Sequence, residues 1–259
     1  MLVPFLTDSS QIRGTVQLAH GFGEHHRRYK PFIHDLNSAG YDVYTFDFTG
    51  HGTSPGKPGR VDVAKLIFEH LDARAELRLQ ARSDRFFLFG HSMGGLITLA
   101  STLLDPTDLI ATAVTGPALA PQPALPNWLA KLARAAARVA PGVGTVGLDR
   151  SVLSHDPRVE AELAEDPYSF EGKVPLLTAA SMVEQGKRVL DNAAMLTVPV
   201  LILHGDDDRL AAIEGSAEFV ARAPGNAEMI VVADSFHEVL NELDRDKSAA
   251  EIVQWYNRW

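Results

Sequence analysis

The run Arg85-Phe86-Phe87-Leu88-Phe89 leads through Gly90-His91-Ser92-Met93-Gly94 directly into a helix-forming stretch ending near Leu104. Phe86 to Phe89 are apolar, mostly aromatic and too few for a buried helix, so with Arg85 at their start they read as a strand covered on both faces. A strand that becomes a helix almost at once needs a sharp turn, and the glycines beside Ser92 permit one. The rest of the chain repeats this alternation. Apolar, β-branched runs recur at 15–19, 41–48, 109–114, 198–203 and 227–232, with helical spacing between or after them at 29–38, 61–81, 213–221 and 247–256. Strands alternating with helices predict an α/β fold, a mostly parallel sheet flanked by helices on both faces. With 259 residues, 46% of them hydrophobic, one large core and a single domain are expected.

One stretch departs from the rhythm. From Gly116 to about Pro175 no convincing strand is found, but Pro117, Pro121, Pro123 and Pro126 precede a helical run from Trp128 to Arg134, and further prolines stand at 141, 157 and 167. A connection of this length in a compact domain is more often a functional lid than a structureless loop. The expected division is therefore a core of residues 1–116 and 176–259 with a helical cap over 117–175.

Gly-x-Ser-x-Gly occurs twice. In Gly52-Thr53-Ser54-Pro55-Gly56 the residue after the serine is proline, which has no N–H to offer a developing oxyanion, and no helix follows. Ser54 therefore reads as part of a turn. Ser92 lies between strand and helix, and Met93 supplies an N–H at a helix start, where the dipole also favours negative charge. Ser92 is the candidate nucleophile and Met93 the first oxyanion donor. The glycine-rich turn His20-Gly21-Phe22-Gly23 follows the strand at 15–19, and Phe22 is the candidate second donor. The spacing of His20, His25 and His26 matches no zinc pattern, and no metal or cofactor is expected.

The acid falls in His204-Gly205-Asp206-Asp207-Asp208-Arg209, at the end of the strand at 198–203. Three adjacent carboxylates leave the choice among them open. His237, in Asp234-Ser235-Phe236-His237-Glu238, is the only histidine beyond that loop and is the candidate base.

These segments together resemble the monoacylglycerol lipase and lysophospholipase group of α/β-hydrolases, also called serine aminopeptidase-like hydrolases. The resemblance rests on His20-Gly21-Phe22-Gly23-Glu24-His25-His26-Arg27-Arg28-Tyr29, on Gly50-His51-Gly52-x-Ser54, and on Gly90-His91-Ser92-Met93-Gly94-Gly95. It extends to Leu153-Ser154-His155-Asp156-Pro157 and Asp166-Pro167-Tyr168. It implies an α/β-hydrolase fold with the cap inserted after the sixth strand in that fold's usual numbering. The group's His-Gly-x-x-Asp pattern implies Asp208 as the acid of a Ser92-Asp208-His237 triad. It also implies that Glu24 and Arg28 bind the alcohol part of the substrate, a surface ion pair being the alternative. The cap would line an acyl channel, with Trp128, Leu129 and Leu132 as plausible contacts. Two departures stand out: the segment before residue 15 is short, so the opening antiparallel strands are expected to be reduced or missing, and Thr49 replaces a usual arginine.

A small-molecule acyl ester, typified by monoacylglycerol, is the expected substrate. Lysophospholipids and other medium- or long-chain esters are the alternative, and a non-catalytic binding protein on this fold is the reading from another class. With 24 basic against 33 acidic residues the net charge is −9, which disfavours nucleic acid and gives no general attraction to anionic lipid. No signal peptide or membrane span is read, so a cytoplasmic protein is expected, with transient membrane or micelle contact through the cap.

Overall fold

The computed structural model describes residues 2–123, 126–223 and 225–259. In chain order the strands are β1 (Val3–Phe5), β2 (Gly14–Ala19), β3 (Tyr41–Thr45), β4 (Phe86–His91), β5 (Leu109–Thr115), β6 (Gly144–Gly147), β7 (Lys173–Pro175), β8 (Val200–Gly205) and β9 (Ala227–Val232). The α-helices are α1 (Lys30–Ser38), α2 (Val63–Gln80), α3 (Met93–Leu104), α4 (Asn127–Val139), α5 (Pro157–Glu165), α6 (Leu176–Asn192), α7 (Ile213–Arg222) and α8 (Arg245–Asn257). Seven strands form one sheet in the order β1-β3-β2-β4-β5-β8-β9. Every neighbouring pair is parallel except β1 with β3. This is the α/β-hydrolase architecture, with the three-residue β1 as the antiparallel strand at one edge.

Strands β2, β4 and β8 are buried at every position, as unbroken apolar runs require. Because side chains alternate across a strand, one sequence feeds two cores. Val16, Leu18, Phe87, Phe89, Leu201 and Leu203 pack with Phe32, Ile33 and Leu36 of α1 and Ile252 and Trp255 of α8. On the other face Ala19, Val114, Val200 and Ile202 meet Leu66 of α2, Leu96 of α3, Val189 of α6 and Phe219 of α7. Truncating one of the fully buried phenylalanines to alanine would cost about 3–5 kcal/mol. On the α1 and α8 face, Trp255 Nε1–H donates to the Thr112 carbonyl at 3.0 Å and Tyr256 O–H to that of Leu88 at 2.8 Å.

Two findings correct the periodicity reading. Residues 116–175 do contain strands, β6 and β7, which pair antiparallel apart from the main sheet. They are four and three residues long, β6 beginning and ending in glycine and β7 ending in proline, too brief to show alternation. The helix α6 had no counterpart in the sequence reading. Its interior Gly186 obscures it, and the glycine has a packing cause: a Cβ there would lie 2.3 Å from the Leu119 carbonyl oxygen. α6 packs against both α3 and α4, and so joins the core to the inserted segment. No helix among the described residues is long and apolar enough to cross a membrane.

Candidate active site

Ser92 stands between β4 and α3 with φ 52° and ψ −117°, a strained conformation for a residue with a side chain. The surrounding glycines are required by crowding. A Cβ on Gly90 would come within 2.4 Å of Thr98 Oγ1, and one on Gly94 within 2.4 Å of the carbonyl oxygens of Ala19 and His20. The Ser92 N–H donates to the Thr115 carbonyl at 2.9 Å, tying the turn to the end of β5. Ser54, by contrast, spends its hydroxyl on the Asp47 carbonyl within a turn.

The three carboxylates after β8 separate clearly. Asp207 is exposed and pairs with Arg209, and Asp206 accepts the Ser235 N–H at 3.2 Å. Asp208 is buried, and its Oδ2 lies 2.6 Å from His237 Nδ1. Its Oδ1 accepts the N–H groups of Leu210 and Ala211 at 2.8 and 3.0 Å. Burial would raise the Asp208 carboxyl, but the neighbouring His237, the hydrogen bonds from His204 and His237 and the Ala211 N–H outweigh it and hold it well below the usual range. Burial would likewise depress His237, yet the Asp208 charge and hydrogen bond raise it above its ordinary value. His237 reaches this position because Gly205 lets the loop close in: a Cβ there would lie 2.1 Å from the Phe236 carbonyl oxygen.

His204 was not singled out from sequence. Its Nε2 lies 3.0 Å from Asp208 Oδ2 and 3.1 Å from the Ala211 carbonyl, while Nδ1 lies 2.8 Å from Ser216 Oγ. Two acceptors at Nε2 assign the proton there, so Nδ1 accepts from Ser216. His91 also adjoins His237, the ring centroids 4.8 Å apart. Burial and the nearby His237 push it down to about 4, so it stays neutral beside His237 at neutral pH.

The turn after β2 abuts Ser92. A Cβ on Gly21 would lie 3.3 Å from Ser92 Cβ. No described backbone acceptor takes the Phe22 N–H, and Met93 is the first residue of α3, where an N–H has no partner within the helix. The segment after α5 braces this turn from above. The Phe170 N–H donates to the Gly23 carbonyl at 2.8 Å, Asp166 Oδ2 lies 2.6 Å from His25 Nε2, and the Arg27 guanidinium stacks on Tyr168 at 4.4 Å. The histidines of the turn are thus engaged singly, His20 with Gly21 and Phe48, His25 with Asp166, His26 with Asp47. Among the described residues no cluster could hold a metal ion.

Glu24 and Arg28 do form an ion pair, but a buried one at 2.6 Å. Glu24 Oε1 also accepts the Gly21 N–H at 2.6 Å and the Tyr29 hydroxyl at 2.5 Å. A second carboxylate, Glu238, holds Arg28 bidentately at 2.9 and 2.8 Å. Sequence reasoning missed it, although it directly follows His237. Burial opposes ionisation of Glu24, but Arg28, His91, His20 and Tyr29 together hold it down to about 2.

Ser92, Phe22, His91, His237, Glu24, Arg28 and Glu238 all line one cavity of about 920 Å³. The inserted segment and α6 provide its apolar walls, including Leu129, Ala133, Leu163, Phe170, Leu176 and Met182. Val146 and Leu148 line it while remaining 67% and 37% exposed, which marks its mouth. Of the expected cap contacts, Leu129 lines the cavity, whereas Trp128 and Leu132 face outward at 67% and 57% exposure. The structure records no hydrogen bond from Ser92 Oγ to His237; such bonds commonly tighten only as the transition state forms.

The serine aminopeptidase S33 family pattern matches residues 10–244. The monoacylglycerol lipase of Mycolicibacterium smegmatis is 34% identical over 96% of this chain and 90% of its own. The crystal structure of Paleococcus ferrophilus monoacylglycerol lipase superposes with a TM-score of 0.88 at 31% identity, covering 99% of this chain and 97% of the other. The Saccharomyces cerevisiae monoglyceride lipase is 28% identical over the whole of this chain and 88% of its own. The strained serine, the buried carboxylate–imidazole pair and these matches converge, and the chain belongs to the serine aminopeptidase S33 family of α/β-hydrolases.

Proposed function

We propose that this carboxylic ester hydrolase cleaves monoacylglycerols to fatty acid and glycerol through a Ser92-His237-Asp208 triad. The observation that carries the reading is the lining of one cavity, in which Ser92 meets both the apolar walls of the inserted segment and the mutually bonded charged groups Glu24, Arg28 and Glu238. Such a site fits an ester with a long apolar acyl chain and a small polar alcohol.

His237 takes the Ser92 proton as Oγ attacks the carbonyl carbon, and the carbonyl oxygen becomes an oxyanion held by the Phe22 and Met93 N–H groups. Asp208 keeps the proton of His237 on Nδ1, which leaves Nε2 free as the base, and stabilises the imidazolium that forms. His237 then protonates the departing alkoxide as the ester C–O bond breaks. Water, activated by the same imidazole, attacks the acyl-serine and releases the fatty acid. Residues 117–175 act as the cap. The outward stripe of Trp128, Leu132 and Val139 on α4, with Lys131, Arg134 and Arg138 on the same helix and no acidic residue, suits contact with a lipid aggregate.

The test is a panel of monoacylglycerols of graded chain length against nitrophenyl acetate. Medium- or long-chain monoacylglycerols should show the highest kcat/KM. Monoacylglycerol no better than the acetate overturns the substrate assignment.

A further inference from the structure

The Glu24–Arg28–Glu238 cluster in the cavity wall holds more negative than positive charge. Arg28 is gripped by two carboxylates, Glu24 at 2.6 Å and Glu238 at 2.8 and 2.9 Å. One cation against two anions leaves one negative charge over. The remaining arginines that line the cavity bring no surplus cation, since Arg209 meets Asp207 at 2.7 Å and Arg150 meets Glu171 at 3.6 Å.

The lone pairs tell the same story. Glu24 Oε1 is filled by Gly21 N–H and Tyr29 O–H, and Glu238 Oε2 by Arg28 and the Asn241 amide at 2.7 Å. Glu24 Oε2 and Glu238 Oε1 each accept only from Arg28, so each retains acceptor capacity in a cavity-lining residue. Two carboxylate oxygens of this kind suit hydroxyl donors.

Resting on the monoacylglycerol reading, we infer that Glu238 determines specificity: with Glu24 it overcompensates Arg28, so the site accepts a neutral polyol and excludes an alcohol that carries a phosphate. Without Glu238 the remaining Glu24–Arg28 pair is neutral, and the guanidinium fork is free to meet phosphate oxygens bidentately. Both carboxyls are held below their ordinary values, Glu238 against the opposing effect of burial by the Arg28 charge and hydrogen bonds, so both are ionised at neutral pH.

The experiment compares kcat/KM for a 1-monoacylglycerol and the matching 1-acylglycerol 3-phosphate in wild type, Glu238→Gln and Glu238→Asp. Each rate is divided by the same protein's rate on nitrophenyl butyrate, which cancels general losses. Wild type should prefer the neutral ester by roughly 100-fold, the scale of a unit charge acting over a few ångströms near a protein surface. Glu238→Gln should narrow that preference about tenfold or more, and Glu238→Asp, which keeps the charge, should retain most of it. Equal wild-type rates on the two glycerol esters overturn the inference without any variant and leave the monoacylglycerol reading standing. An unchanged ratio in Glu238→Gln, or the same loss in Glu238→Asp, also overturns it. Wild type that cleaves nitrophenyl butyrate but neither glycerol ester removes the monoacylglycerol reading and the inference together.

Discussion

His204 Nε2 lies 3.0 Å from Asp208 Oδ2, the same oxygen that meets His237 Nδ1 at 2.6 Å. Asp208 is therefore held between two imidazoles, one from the strand that carries it and one from the loop it orients. A hydrogen bond to a charged group contributes about 1.5–3 kcal/mol, so His204→Ala should lower kcat roughly 10- to 100-fold with little change in KM. Steady-state kinetics on a soluble short-chain ester decides this, and a change confined to KM would contradict a positioning role.

The three neighbouring carboxylates should differ sharply. Asp208→Asn should cost on the order of 10⁴ in kcat, since the wrong imidazole tautomer is then favoured. Asp207→Asn, on an exposed side chain paired with Arg209, should change kcat less than about threefold. Comparable losses at both positions would contradict the assignment.

Activity should follow the protonation of His237. Because Asp208 raises the imidazole, the acid limb of kcat/KM should have its midpoint above the ordinary value of about 6.5. Rate is lost as pH falls through that midpoint, because the protonated ring cannot take the Ser92 proton. In the residual activity of Asp208→Asn the limb should move to lower pH, the raising charge being gone. A pH–rate profile of both proteins reads the direction.

Asp166 braces the turn that carries Phe22 through His25 and caps its own turn through the Tyr168 N–H and the Ser169 hydroxyl. Asp166→Ala should cut kcat about tenfold by loosening the Phe22 N–H, since small misplacements of transition-state donors are costly. Thermal melting run in parallel separates this from loss of fold: a large shift in Tm with unchanged kcat would place Asp166 in stability alone.

The outward face of α4 should dock on lipid. Trp128→Ser with Leu132→Ser should weaken cosedimentation with anionic vesicles several-fold while leaving turnover of a soluble short-chain ester unchanged, because neither side chain lines the cavity. Undiminished vesicle binding would contradict the proposed contact.

Much of the fold was legible because parallel strands buried on both faces leave unbroken apolar runs, as at Phe86 to Phe89. Ser92 was told apart from Ser54 because Pro55 lacks the N–H that Met93 has, and the structure puts the strained backbone at Ser92. What escaped was set by contacts between distant segments. Glu238 acquires its partner 210 residues away, and no local spacing reveals that. Among Asp206, Asp207 and Asp208, the residues alone gave no choice, and depth of burial distinguishes them. α6 was hidden by Gly186, whose reason is the passing backbone at Leu119 rather than any turn. β6 and β7 are stabilised by pairing with each other across the insertion, a signal too short to read in either strand alone.

The most direct test is to quench turnover of a monoacylglycerol in acid within milliseconds and map the trapped acyl group by peptide mass spectrometry. The acyl mass should fall on the peptide carrying Ser92 and vanish in Ser92→Ala together with hydrolysis. An acyl group on the peptide carrying Ser54, or sustained hydrolysis by Ser92→Ala, would contradict the mechanism.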